Sequence, residues 1–412
     1  MNMQNLKKID TQIAKLIKKE ERRQAETLDL IASENYPSNA VREALSSIFV
    51  AKYSEGRPYK RYYAGMENVD KLETLVEERV KKVFKLNPKK WVVNVQPLSG
   101  APANYEILRS LVTLHEKILC LHLPHGGHLS QGAKASLTGH DFKPIYYYLN
   151  KNGFLDYKEI EKLAIKEKPK LIIAGFTAYP RKVDFRKFGK IAKKVGAYLL
   201  ADTSHITGLI IGGVHPNPFP WADVLMTTTH KTLRGPRGAM IICRKELEKK
   251  IFPKVFPGMQ GGPHEHTICA IGVALKEAMS PKFKKYAVQI IKNSKVLAAE
   301  LKKYNFNLVS GGTDNHLVLI DLRNKNITGK PAQELLEKAG IVVSRSTIPY
   351  DPNPPYYPSG IRLGTPAITT RGMKEKEMKK IAFWINEVIS NPKSYLKIKK
   401  EVKKLCQRFP IL

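Results

Sequence analysis

The 412 residues, 42% hydrophobic and 8% aromatic, describe a globular protein with room for a large and a smaller domain, and exclude a disordered chain. The formal net charge of +33 raises nucleic acid as a partner. The lysines, however, are spread over helical stretches such as KKIAFW and KIKKEVKK, and no aromatic-basic motif of the RRM kind appears, so solvated lysine faces account for the charge and no nucleic acid is expected.

The N-terminus is charged throughout and has no apolar core of a signal peptide. Leu6, Ile9, Ile13, Leu16 and Ile17 fall on one helical stripe, which predicts a helix that docks on something, such as another subunit. NVDKLETLVEERVKKVF predicts a second helix through Val69, Leu72, Leu75, Val76, Val80 and Val83. Seven short apolar runs follow, from WVVNVQP to AMIICR, with amphipathic stretches such as YKEIEKLAIKEK and DFRKFGKIAKKVG between several of them. Strands alternating with helices predict an α/β fold with a mostly parallel seven-stranded sheet covered on both faces. Ligands then bind beyond the carboxyl ends of the strands. No run reaches membrane-spanning length. Cys120, Cys243, Cys269 and Cys406 form no CxxC pair and read as reduced thiols of a cytoplasmic protein.

Near 280 the texture changes. SPKFKKYAVQIIKNSKVLAAELKKY predicts one long helix with proline near its start. Short strands, a helix, the proline-rich IPYDPNPPYYPSG and two terminal helices complete a smaller α+β unit. The expected domains are 1–280 and 281–412.

No Walker A, GxSxG or HExxH is present. His122, His125 and His128 in HLPHGGH lack a cysteine or carboxylate partner nearby, so no metal is expected. Lys231 in TTTHKTLRGPRGAM stands apart. It follows the run DVLMTTT, beside the hydroxyls of Thr227, Thr228 and Thr229 and the His230 imidazole. A solvated loop lysine is the plain reading. A lysine that forms a Schiff base must instead be held and partly desolvated. Asp202 ends the buried run AYLLAD, where it can pair with a protonated pyridine nitrogen of pyridoxal phosphate or simply cap a helix. His205 follows three residues on. QPLSGAPANYEIL opens a helix after a strand, and Ser99, Gly100 and Ala101 offer a hydroxyl and N–H groups to a phosphate, or a plain cap.

These residues carry a resemblance. LIASENYPS, KYSEGRPYKRYYAG, NVQPLSGAPAN, HGGHLSQG, ADTSHITG, TTTHKTLRGPRG, FPGMQGGP, VSGGTDNH and SGIRLGTPAITTRG resemble, in content and order, the serine hydroxymethyltransferases, fold-type-I pyridoxal-phosphate enzymes. The resemblance implies reversible transfer of the hydroxymethyl carbon of L-serine to tetrahydrofolate, giving glycine and 5,10-methylenetetrahydrofolate. It implies that Lys231 holds the cofactor, Asp202 pairs with its ring nitrogen, and His128 stacks on the ring. Thr177 and His205 lie near the ring oxygen, and Ser99, Gly100 and Ala101 bind phosphate, joined by Gly261 and Gly262 of a partner subunit. His230 is implied as a further cofactor contact and Thr228 as a catalytic residue. Arg362 clamps the amino-acid carboxylate, with Ser33 as second contact. Glu55 handles protons across the subunit interface with Tyr53 and Tyr63. Leu123, Gly127, Leu129 and Ser346 join the substrate contacts. A homodimer with shared active sites follows, with a tetramer left open.

This chain also departs from the family's pattern. EGRPYKRYYAG stands for EGYPGKRYYGG and YYPSGIR for FVTSGIR, Thr177 stands where serine is common, and Ser346 stands where asparagine meets the folate. DTSHITG for DMAHIAG puts Thr207 in place of an alanine expected to face the ring opposite His128, where its bulk is expected to shift ring packing. The drift lies on the pterin side, which raises a modified pterin, or folate held more weakly, as the carrier. The rival within enzymes is an aldolase of β-hydroxy amino acids that needs no pterin. The rival outside them is an RNA-binding protein that has retired its chemistry, which the presence of Lys231, Asp202, Glu55 and Arg362 opposes.

Overall fold

The computed structural model describes residues 4–411. Seven strands form its central sheet: β1 (Trp91–Asn94), β2 (Lys117–Leu121), β3 (Lys143–Tyr147), β4 (Leu171–Gly175), β5 (Tyr198–Asp202), β6 (Val224–Thr228) and β7 (Ala239–Arg244). Their spatial order is β1-β7-β6-β5-β4-β2-β3. All neighbours pair in parallel except β7, which is antiparallel to both β1 and β6. Successive side chains enter opposite cores, and both cores are apolar. Ile172, Ala174, Leu199 and Leu225 pack on one face; Leu171, Ile173, Leu200 and Val224 pack on the other. This is why the runs lack the polar alternate position of a half-exposed strand.

Register then decides the site. Gly175 pairs with Asp202, and Asp202 with Met226, so β4, β5 and β6 end side by side. Whatever follows each strand emerges along one edge.

The flanking helices start where the sequence allows them to. Asp184 caps Phe185–Val195 through Lys187 N–H, and Phe185, Phe188, Ile191 and Ala192 form its buried stripe. Ser280 caps Pro281–Lys303 through Phe283 N–H, with Pro281 in the first turn, as the sequence predicts. That helix serves two cores: Phe283, Ala287 and Ile290 belong to the large one, Leu297, Ala298 and Leu301 to the second.

The second core is built on a four-stranded antiparallel sheet. Its strands are β8 (Asn307–Leu308), β9 (Leu317–Asp321), β10 (Ser344–Ser346) and β11 (Gly360–Gly364), in the order β8-β9-β11-β10. Leu28 and Leu30 join this core, and Leu28–Asp29 pairs in parallel with Ile341–Val342. The chain just before Ser33 therefore rides on the second unit. The predicted N-terminal helix is two helices, Gln4–Ile9 and Thr11–Glu26. Asp10 divides them, because its Oδ1 accepts from Gln12 N and Ile13 N and so caps the second. Ile9, Ile13 and Leu16 of the predicted stripe are exposed on this single chain. No helix among the described residues is long and apolar enough to cross a membrane.

Candidate active site

Lys231 lies three residues past β6. A tight return, with Gly235 N–H on Thr229 O and Thr229 N–H on Gly238 O, holds the segment. Asn35 Nδ2 donates to the Lys231 carbonyl at 2.8 Å. The amine itself donates to Thr228 Oγ1 at 2.7 Å. Burial lowers its pKa to about 8, Asp202 opposes the fall, and Arg237 and Arg362 add to it. A largely desolvated amine with no carboxylate among the described residues in contact is what a Schiff-base lysine requires.

Asp202 ends β5. Its Oδ2 accepts from Gln131 Nε2 at 2.7 Å and Asn104 Nδ2 at 3.0 Å, and its Oδ1 from Ser204 N–H at 3.1 Å. The cap-like bond to Ser204 thus takes one oxygen, while the other is gripped by side chains from two other elements. Sequence reasoning named neither Asn104 nor Gln131, the two side chains that hold Asp202 Oδ2. Asn104 stands one helical turn after Gly100 in SGAPAN, the only local signal for it. Gln131 reaches Asp202 because residue 175 is glycine, where a Cβ would fall 2.2 Å from Gln131 Nε2.

The helix Gly100–Leu111 points its N-terminus at the same place. Ser99 is extended and makes no side-chain cap bond, so its hydroxyl and the first N–H groups, including that of Ala101, are uncommitted among the described residues. A Cβ at residue 100 would meet Thr228 Cγ2 at 2.6 Å, so glycine there lets the helix approach β6.

A cleft of about 470 Å³ is lined by Ser33, Leu123, Gly127, His128, Leu129, Thr177, His205, Lys231, Ser346 and Arg362. A narrow slot below it is lined by Gly100, Asn104, Asp202, Ser204, Thr228 and Lys231. His128 Nδ1 is 2.8 Å from Ser130 Oγ, and burial lowers its pKa. Thr177 Oγ1 donates to Gly127 O at 2.6 Å. Arg362 Nη1 donates to Thr177 O. Arg362 Nε is buried without a partner, and the residue enters no ion pair among the described residues. Burial lowers its pKa to about 10. A guanidinium in this state fits an incoming carboxylate.

Tyr53, Glu55, Tyr63, Gly261 and Gly262 line neither cavity. They form a second group. Tyr53 Oη is 3.4 Å from Glu55 Oε1, and the Tyr53 and Tyr63 rings meet edge to face at 5.3 Å. A Cβ on Gly261 would lie 3.2 Å from Glu55 Oε1, and one on Gly262 3.2 Å from Tyr53. Arg61 anchors this loop from beneath through Asp70 at 2.8 Å, Glu73 at 2.7 Å and the carbonyls of Ser54 and Gly56. His230 sits beside Lys231 with Nδ1 buried and unpartnered, and burial takes its pKa to about 3.

Two expectations about neighbouring positions need separate treatment. Thr207 does not face the cavity. It opens the helix Thr207–Ile211, is fully buried, and bonds Thr203 O and Thr227 Oγ1 behind β6. The small position that does line the slot is Ser204, whose Oγ accepts Thr228 N–H at 3.1 Å. Of the three clustered histidines, only His128 lines the cavity, while His122 and His125 pack against Tyr146, Tyr148 and Tyr350.

The family model described as serine hydroxymethyltransferase matches residues 6–385. The serine hydroxymethyltransferase of Desulfotalea psychrophila is 51% identical over 411 residues, covering 99% of this chain and 96% of that one.

Proposed function

The chain belongs to the serine hydroxymethyltransferase family, and from that premise we propose how its own residues divide the work. The activity is the reversible conversion of L-serine and tetrahydrofolate to glycine and 5,10-methylenetetrahydrofolate, with pyridoxal phosphate as cofactor. The residues present suit that cofactor. Lys231 offers an amine of lowered basicity, Asp202 a carboxylate braced by three N–H donors, and Ser99, Gly100 and Ala101 an uncommitted helix N-terminus. When bound, pyridoxal phosphate supplies an electron sink for the bond broken at the serine α-carbon.

The protein's part is positioning and proton handling. Arg362 and Ser33 take the amino-acid carboxylate; the unpartnered Arg362 Nε is the single observation that carries this reading. His128 and Ser204 flank the slot, with Thr177 and His205 along its side. Thr228 receives the hydrogen bond of the Lys231 amine. Glu55, with Tyr53 and Tyr63, moves the proton of the serine hydroxyl from across an interface. The support is their place outside the cavity, on a surface that exposes Ile48, Val50, Tyr62 and Tyr63. Gly261 and Gly262 share that surface and would reach the partner's phosphate. The unit is therefore a homodimer. Buried free thiols suit a cytoplasmic location.

On the carrier side, Ser346 Oγ donates to the Thr347 carbonyl at 3.1 Å and has no amide to offer a pterin. Tetrahydrofolate is accordingly held less tightly here than by members with asparagine. The test of the reading is glycine formation from serine with and without tetrahydrofolate. Dependence on the folate is expected; equal rates without it would mark a pterin-independent aldolase.

A further inference from the structure

Asp202 and His128 both line the slot, and Asn104 and Ser130 join them behind it. Asn104 Nδ2 donates to Asp202 Oδ2 at 3.0 Å and to Ser130 Oγ at 2.9 Å. Ser130 Oγ lies 2.8 Å from His128 Nδ1, and Ser130 N–H donates to that same nitrogen at 3.2 Å. Asn104 is 0% exposed and Ser130 5%, so water does not compete for these bonds.

Each hydrogen of this network has one place. A carboxylate only accepts, so the Asn104 atom facing Asp202 is the amide nitrogen. The amide oxygen stays buried without a partner, because turning it over would set it against the carboxylate. Both amide hydrogens are thus spent, one on Asp202 and one on Ser130. The Ser130 hydroxyl accepts from Asn104 and keeps its own hydrogen for His128 Nδ1. That nitrogen also faces Ser130 N–H, so a hydrogen of its own would meet another hydrogen. Nδ1 is therefore bare. Burial lowers the pKa of His128, Asp202 opposes the fall, and Lys231 and Arg362 add to it, so the ring is neutral at pH 7. Its one hydrogen is on Nε2, which has no partner among the described residues.

We propose that Asn104 and Ser130 are positioning residues that tie His128 to Asp202 and hold its imidazole in the Nε2–H form, as a donor and not a base. With Nδ1 committed and Nε2 protonated, the ring has no lone pair with which to take a proton from a substrate. The inference deepens the reading of the slot as the cofactor site and rests on it.

Histidine-selective nitrogen-15 NMR of the full chain, with and without pyridoxal phosphate, reads the ring nitrogens directly. The signals of His128 are those missing in His128→Asn. The Nε2–H form is expected in both states at pH 7, with Nδ1 shifted as a hydrogen-bond acceptor. In Ser130→Ala the hydroxyl is lost, and in Asn104→Leu it is released. The Nδ1 signal should move toward that of a free imidazole nitrogen in both, while Ser130→Thr keeps the hydroxyl and the wild-type signal. Asn104→Leu also strips Asp202 of a donor. Its affinity for pyridoxal phosphate should fall about tenfold, the worth of one hydrogen bond to a charged group. A wild-type His128 that is Nδ1–H or doubly protonated overturns the proposal. So does an Nδ1 signal that is unchanged in both Asn104→Leu and Ser130→Ala, or that moves as far in Ser130→Thr as in Ser130→Ala. Unchanged cofactor affinity in Asn104→Leu, with the signals as expected, would instead overturn the reading of the slot and leave the tautomer assigned.

Discussion

Arg362 is a half-buried cation, its Nε buried without a partner, whose charge no carboxylate among the described residues meets, so its burial costs stability that an incoming anion would offset. Arg362→Lys keeps the charge and loses the planar fork, so KM for serine should rise about a hundredfold, the equivalent of ~3 kcal/mol of charge-assisted hydrogen bonding. Arg362→Leu should abolish serine binding yet raise the melting temperature of the cofactor-free protein. A lower melting temperature would mean that its bond to the Thr177 carbonyl outweighs the cost of the unpaired charge. At the mouth, Ser346→Asn should lower KM for tetrahydrofolate severalfold in steady-state assays, since it returns an amide where a hydroxyl now turns to its own backbone. Lys231 and Asp202 stood out in the sequence because each is a charged residue at or just past the end of an apolar run, whereas Arg362 was named only through the motif SGIRLG that the resemblance supplies. Thr207 was misassigned because ADTSHITG has two small positions, and only the start of the helix at 207 decides which of them faces the slot. Gln131 was illegible, since its reach depends on a glycine at the end of β4, distant in sequence.

The helix Gly100–Leu111 carries two tests. Gly100→Ala drives a Cβ to 2.6 Å from Thr228 Cγ2, which must push the helix N-terminus off β6. Affinity for pyridoxal phosphate, measured by titration of the cofactor-free protein, should fall at least tenfold. Nearly two turns on, Glu106 is 1% exposed, with neither oxygen partnered among the described residues, and burial raises its pKa to about 8. Because the folded carboxyl holds a proton that the unfolded one releases near its ordinary pKa, stability falls as pH rises from that value to about 8. The isosteric Glu106→Gln should therefore raise the melting temperature more at pH 9 than at pH 5, by the equivalent of a few kcal/mol, about 4 at most. Equal shifts at both pH values would place a cation against Glu106. The start of this helix was legible from the glycine and proline in SGAP. The division of the N-terminal stripe at Asp10 was missed because periodicity carries across a cap that only hydrogen bonding reveals.

At the scale of the molecule, seven short apolar runs alternating with amphipathic stretches predicted the doubly covered sheet, and the strands do bury side chains on both faces. Strand order was not legible, since it depends on which crossovers skip a neighbour. Nor was it legible that residues 28–30 complete the second core, a contact between distant parts of the chain. The separation of Glu55 from Lys231 leads to a prediction about assembly. Glu55→Gln and Lys231→Gln should each be nearly inactive alone. Unfolded together and refolded as a mixture, they should recover up to about a quarter of wild-type activity, because the mixed dimer contains one site with both native residues. No recovery would put both residues in one chain's site. The most direct measurement concerns Lys231 itself. Borohydride reduction of the purified holoenzyme, followed by peptide mapping, should place the pyridoxyl mass on the peptide that contains Lys231. A pyridoxyl group on any other lysine, or on none, would contradict the account.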